Sequence, residues 1–117
     1  MTSRKVKERT KEIKYMPQFP YVIYITYTND IKASYEKRRE SAIDPRAGGV
    51  TLGGDGISRI ILENNAPLDY TVHECSHAIF NLLNDLGVEE TERSGHELFC
   101  YLVGHLAKEA IMFQKRK

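Results

Sequence analysis

The chain has 117 residues, which suits one modest core and a single domain spanning 1–117 and leaves little for a second lobe. Hydrophobic residues are 41% and charged residues 28%, an ordinary soluble globular balance that argues against a disordered or fibrous chain. A net charge of +1 selects no partner by bulk electrostatics. No apolar run reaches the length of a membrane span or of a signal-peptide core.

Residues 1–16 are polar and basic, carrying Arg4, Lys5, Lys7, Arg9, Lys11 and Lys14, with a weak helical pattern and little to bury. With Lys115, Arg116 and Lys117 they read as solvated, flexible tails, ahead of a nucleic-acid contact. Pro17 and Pro20 bracket Phe19 and close the segment. "YVIYITYT" (21–28) is β-branched and aromatic throughout, a strand that is central or covered on both faces. After Asn29-Asp30, "IKASYEKRRE" (31–40) reads as a short surface helix. "DPRAGGVTLGGDGISRIILEN" reads as a β-meander, with Gly48-Gly49 and Gly53-Gly54-Asp55-Gly56 as turns around a short strand at 50–52, then a strand at 57–63. No Lys-Ser or Lys-Thr pair and no helix follows these glycines, so a phosphate loop is disfavoured.

From about Pro67 the period becomes helical. Val72, Cys75, Ile79, Leu82, Leu83 and Leu86 recur on one stripe, and Gly87 stands where a left-handed C′ residue would. An acidic connection, "VEETERSG", leads to a second helix from about Ser94 to Gln114. Phe99, Val103, Leu106, Ala110 and Phe113 form its stripe, and Leu98, Tyr101 and Leu102 suggest that its first half is buried all round. Two cysteines, Cys75 and Cys100, without a signal segment read as reduced thiols packed as small buried hydrophobes, neither a disulfide nor metal ligands. The expected setting is cytoplasmic.

The first long helix carries "HECSH". Positions four apart share a helical face, so His73 and His77 can offer two imidazoles to one cation, which zinc takes at about 2.0–2.1 Å. Glu74 projects about 100° away, too far round to be an easy third ligand but placed to serve as a base. A catalytic zinc needs a third protein ligand. Glu97, twenty residues after His77, is the candidate, arriving in the first turn of the second helix. Tyr101 and Gly104 follow on its face, and Gly104 would let the two helices approach closely.

This H-E-x-x-H-x19-E spacing resembles the gluzincin branch of zinc metallopeptidases. More narrowly, "VHECSH" and "ELFCYLVGH" are similar to the "VHE-x-x-H" and "E-x-x-x-YL-x-G" segments of small phage-encoded metallopeptidase-like proteins. The resemblance is specific over 72–106 and looser over the strands at 21–28 and 57–63. It implies a zincin-like α+β fold, a small mostly antiparallel sheet packed on two long helices with zinc between them. It also implies Zn2+ held by His73, His77 and Glu97, with Glu74 as general base and acid, and an extended peptide or protein substrate lying along an edge strand. The larger gluzincins place an acidic residue where this chain has Tyr101, and they add a lobe that helps to stabilise the oxyanion. Tyr101 and His105 are the nearby candidates for that role. Partners for the ligand histidines are sought in Asp69, Asn84, Asp85 or a backbone carbonyl.

Blander roles compete. His73 and His77 can be two polar residues on a half-exposed helix, and Glu74 a solvated one. Ser94-x-x-Glu97 is also a capping box, in which Glu97 would bond back to the Ser94 amide. His96 is the rival third ligand, or an exposed residue at the start of its helix. Glu89, Glu90 and Glu92 suit a solvated loop, and His105 a partly buried core histidine. The functional expectation is a minimal zinc peptidase. The alternatives are a non-catalytic zinc domain acting through a protein partner, such as a host factor, and a zinc-stapled module associated with nucleic acid.

Overall fold

The computed structural model describes residues 5–15, 21–36, 49–54, 56–87 and 93–116. Along the chain these form β1 (Glu8–Lys14), β2 (Val22–Thr28), α1 (Ile31–Glu36), β3 (Gly49–Gly54), β4 (Ile57–Glu63), α2 (Leu68–Asp85) and α3 (Arg93–Lys115). Pro17, Phe19, Pro20, the far half of the expected 31–40 helix, Gly48, Asp55 and the acidic residues Glu89, Glu90 and Glu92 lie outside the described residues.

The class is α+β, and the sheet is mixed. Its order is β1-β2-β4-β3. The two outer pairs are antiparallel, whereas β2 and β4 run parallel at the centre, with Ile25 opposite Ile60. The chain leaves β2 through α1, and β3 then pairs antiparallel with β4 and takes the edge, so β4 enters alongside β2 in the same direction. Alternation puts Ile23, Ile25 and Tyr27 of β2 with Ile60 and Leu62 of β4 into one core, together with Ile13 of β1. Cys75, Ala78, Ile79, Leu82 and Leu83 of α2, and Leu102, Leu106, Ala107 and Ala110 of α3, complete it. Each fully buried Leu or Ile is worth roughly 1.5–3 kcal/mol, so this layer between sheet and helices is what chiefly holds the site's helix in place. Thr26 and Thr28, on the alternate positions of β2, are buried as well. That double burial is why 21–28 is apolar on both faces.

The basic N-terminal segment is a correction. Residues 8–14 form an edge strand, not a helix or a solvated tail. Arg9 donates hydrogen bonds to the carbonyls of Phe113 (3.3 Å), Gln114 (3.4 Å) and Arg116, and its guanidinium lies 4.9 Å over the Phe113 ring. A cation at the last carbonyls of α3 meets the negative end of the helix dipole. Lys11 Nζ lies 3.9 Å from Glu109, and Ile13 is buried. The inward positions are thus long cations whose stems pack while their heads find partners, which hides a two-residue period from a hydrophobicity reading.

The glycines of β3 are a second correction. Gly49, Gly53 and Gly54 lie within the strand, not in turns around it. A Cβ at Gly49 would stand 2.8 Å from Leu62 Cδ2 and 2.9 Å from Glu74 Cγ, and one at Gly53 would stand 2.6 Å from Asn81 Nδ2. At Gly49 the strand lies so close to α2 that only hydrogen fits, whereas at Gly53 the end of the Asn81 side chain would have to swing aside. Gly87, at φ 74°, ends α2 as expected.

Helix α3 is not buried all round. Leu102 and Leu106 face the core, but Tyr101 is 77% exposed. A Cβ at Gly104 would meet nothing within 4 Å, so that glycine serves no helix approach.

Candidate metal centre

Helix α2 turns Cys75, Ile79 and Leu82 into the core, which leaves His73 and His77 on its exposed side. Their Nε2 atoms stand 3.1 Å apart, with the rings inclined at 81° and their centroids separated by 4.7 Å. Two nitrogens on one tetrahedral zinc would be about 3.3–3.4 Å apart, so the pair needs only a few tenths of an ångström to share a cation. Without one, the same spacing suits an N–H···N bond between neutral rings, one donating and the other accepting.

Glu74 is not a solvated helix residue. It is 8% exposed and lies against edge strand β3, where Thr51 Oγ1 donates to its Oε1 at 2.7 Å. The carbonyl of Glu74 is a second acceptor for the same hydroxyl at 3.1 Å. The missing side chain at Gly49 makes room for the Glu74 methylenes. A buried carboxylate fixed on both its backbone and its head is therefore adjacent in sequence to one imidazole of the pair. Sequence reasoning missed Thr51 and Gly49. The available signal was Gly49, Thr51 and Gly53 on alternate positions, one strand face made of small residues.

Glu97 lies on α3 with its side chain exposed, bordering a surface depression with Leu98, Cys100 and Tyr101. Among the described residues no three His, Cys, Asp or Glu side chains are grouped to hold a metal. The structure thus brings His73 and His77 together, while Glu74, next to His73 in sequence, turns its carboxylate to Thr51, and neither it nor Glu97 is grouped with the pair to hold a metal. The reason is rotational. Glu97, Tyr101 and Gly104 share one face of α3, opposite Leu102 and Leu106. The spacing of the two histidines fits a zinc ion, and among the described residues no third protein ligand is arrayed with them.

His105 is engaged elsewhere. Its Nδ1 is 3.3 Å from the Tyr15 hydroxyl and its Nε2 is 3.8 Å from Glu109, which ties α3 to the end of β1. Asp69, Asn84 and Asp85 are exposed, and among the described residues the histidine pair bonds only with itself. Cys75 is buried as expected, and desolvation, with the charge of Glu74 as a lesser cause, pushes its thiol up to about 12. Cys100 corrects the other half of that expectation. It is exposed, with Sγ 3.8 Å from His96 Nε2.

Compared with known proteins, the chain matches no family model, no curated protein and no solved structure. Among the described residues no helix is long and apolar enough to cross a membrane.

Proposed function

We propose that this chain is a zinc-dependent, metallopeptidase-like protein of the phage-encoded gluzincin kind, working in the cytoplasm on extended peptide or protein segments. The observation that carries the proposal is Glu74, a buried carboxylate held by Thr51 and adjacent in sequence to one of two converging imidazoles. His73 and His77 are the first two ligands, and Glu97 is the third. Its ligation requires the first turns of α3 to turn that carboxylate towards the pair. Zinc, when bound, supplies Lewis acidity and brings the pKa of water to about 7. Glu74 accepts the proton of the attacking water and returns it to the leaving amine. Among the described residues β3 is an edge strand, it runs beside Glu74, and its outer side offers main-chain hydrogen bonds to an extended substrate.

The test is Glu74→Gln, which keeps size and most hydrogen bonding but cannot take a proton. Zinc content and fold should be unchanged, while hydrolysis of an unstructured protein falls by roughly 10²-fold or more. Full activity in that variant would remove Glu74 from the mechanism.

One observation favours a second reading, a non-catalytic zinc domain that binds a protein partner. Glu97 stands outside the histidine group, and Tyr70 and Phe80, each about one turn from the pair, are 44% and 46% exposed. A partner could then supply the missing ligand over an apolar rim. In that case the isolated chain hydrolyses nothing, and Glu74→Gln leaves the biological activity intact.

A further inference from the structure

Helix α3 carries a second pair of donor side chains one turn apart, His96 and Cys100. Both are exposed, and neither belongs to the core. Sγ of Cys100 lies 3.8 Å from Nε2 of His96. A tetrahedral cation bound through sulfur at about 2.3 Å and nitrogen at about 2.0–2.1 Å would hold those atoms about 3.6 Å apart. The pair therefore stands within a few tenths of an ångström of bidentate geometry. Packing does not explain this. A thiol is a weak donor, and the contact covers neither side chain from solvent. Cys100 also borders the surface depression shared with Glu97, Leu98 and Tyr101, so a cation can arrive there and keep water in its remaining positions.

We infer that His96 and Cys100 form a surface site for a thiophilic divalent cation of the zinc, cadmium and cobalt class, separate from His73 and His77. The nitrogen–sulfur donor set is softer than the two-imidazole set, so cadmium discriminates in its favour. Binding takes the thiolate, and the thiol proton passes to solvent. The chelate also spans one turn near the start of α3, so occupancy stiffens the first turns of that helix. The inference uses no residue of the histidine pair and stands whether or not the chain is a peptidase.

The experiment is a cobalt titration of the full chain, read by the near-ultraviolet thiolate-to-metal charge-transfer band that imidazole ligation alone does not give. The His73→Ala/His77→Ala variant should show the band saturating at one cobalt per chain, and the wild type should reach the same band intensity, with the histidine pair free to take a second cobalt that adds none. Cys100→Ser should lose the band with its circular dichroism unchanged, since the side chain is exposed. His96→Ala should need at least about tenfold more cobalt to develop it. No band in the wild type, a band retained in Cys100→Ser, or a stoichiometry of one cobalt per two chains would each overturn the single-chain site.

Discussion

Thr51 Oγ1, on edge strand β3, donates a 2.7 Å hydrogen bond to Glu74 Oε1 on helix α2. It is a strand-to-helix tie that ends on the carboxylate proposed as the base. Thr51→Val keeps the shape of the side chain and removes the donor, leaving a nearly buried carboxylate without that partner. The expected cost is about 1–3 kcal/mol of unfolding free energy. Thr51→Ser should recover most of it, because the hydroxyl is retained. Urea unfolding of the three proteins measures this, and equal midpoints would show that the bond holds nothing.

Three glycines give opposite expectations for one substitution. Gly49→Ala sets a methyl 2.8–2.9 Å from Leu62 and Glu74, so the strand must lift from α2, at a cost of about 1–3 kcal/mol. Gly53→Ala should cost less, because its nearest neighbour is the swinging end of Asn81. Gly104→Ala meets open space inside a helix and should stabilise by about 0.5–1 kcal/mol. The order of the three urea midpoints is the readout. A stabilising Gly49→Ala would contradict the close strand–helix approach.

These positions also show what the sequence made legible. The strand at 57–63, the helix carrying "HECSH" and the C′ role of Gly87 follow from periodicity and turn chemistry, which are local. The strand at 8–14 was hidden because Arg9 and Lys11 behave as inward residues only once α3 offers carbonyls, Phe113 and Glu109. Gly49 and Gly53 looked like turn residues because the reason for them is a helix some twenty-five residues away in sequence. The convergence of His73 and His77 needed only helical spacing. The burial of Glu74 and the outward turn of Glu97 depend on how α2 and α3 roll against the sheet, which no local pattern encodes.

Alkaline pH should destabilise the fold. Tyr15, Tyr21 and Tyr27 all have phenols raised above their ordinary 10.0, chiefly by desolvation, with the charges of Cys75 and Glu109 adding to the effect at Tyr15. In the unfolded chain these phenols ionise from about pH 10, while the folded chain keeps its protons. The unfolded state then binds fewer protons, so stability that is full below pH 10 declines as pH rises towards the folded values. Urea midpoints between about pH 9 and 11 should fall. Tyr27→Phe should flatten the slope while costing about 0.5–1.5 kcal/mol at neutral pH, for its 3.1 Å bond to the Ala110 carbonyl. A slope unchanged in Tyr15→Phe and Tyr27→Phe would place the alkaline transition elsewhere.

The third ligand decides between the two readings of the metal centre. Zinc content is best measured in a Cys100→Ser background, which removes the sulfur donor on α3. There, His77→Ala should lower both bound zinc and the zinc-dependent rise in melting temperature, since a ligand held by the folded state alone stabilises it by mass action. If Glu97 completes the site, Glu97→Ala should weaken zinc far more than His96→Ala does, because one removes a ligand and the other a neighbour. The reverse order would transfer the role to His96 and break the gluzincin spacing. Equal, negligible effects would leave a two-histidine site, one whose remaining ligands come from water or a partner protein. Zinc-replete protein that carries no metal, and melts identically with and without chelator, would remove the centre altogether and leave His73 and His77 as an imidazole pair bonded to each other at 3.1 Å.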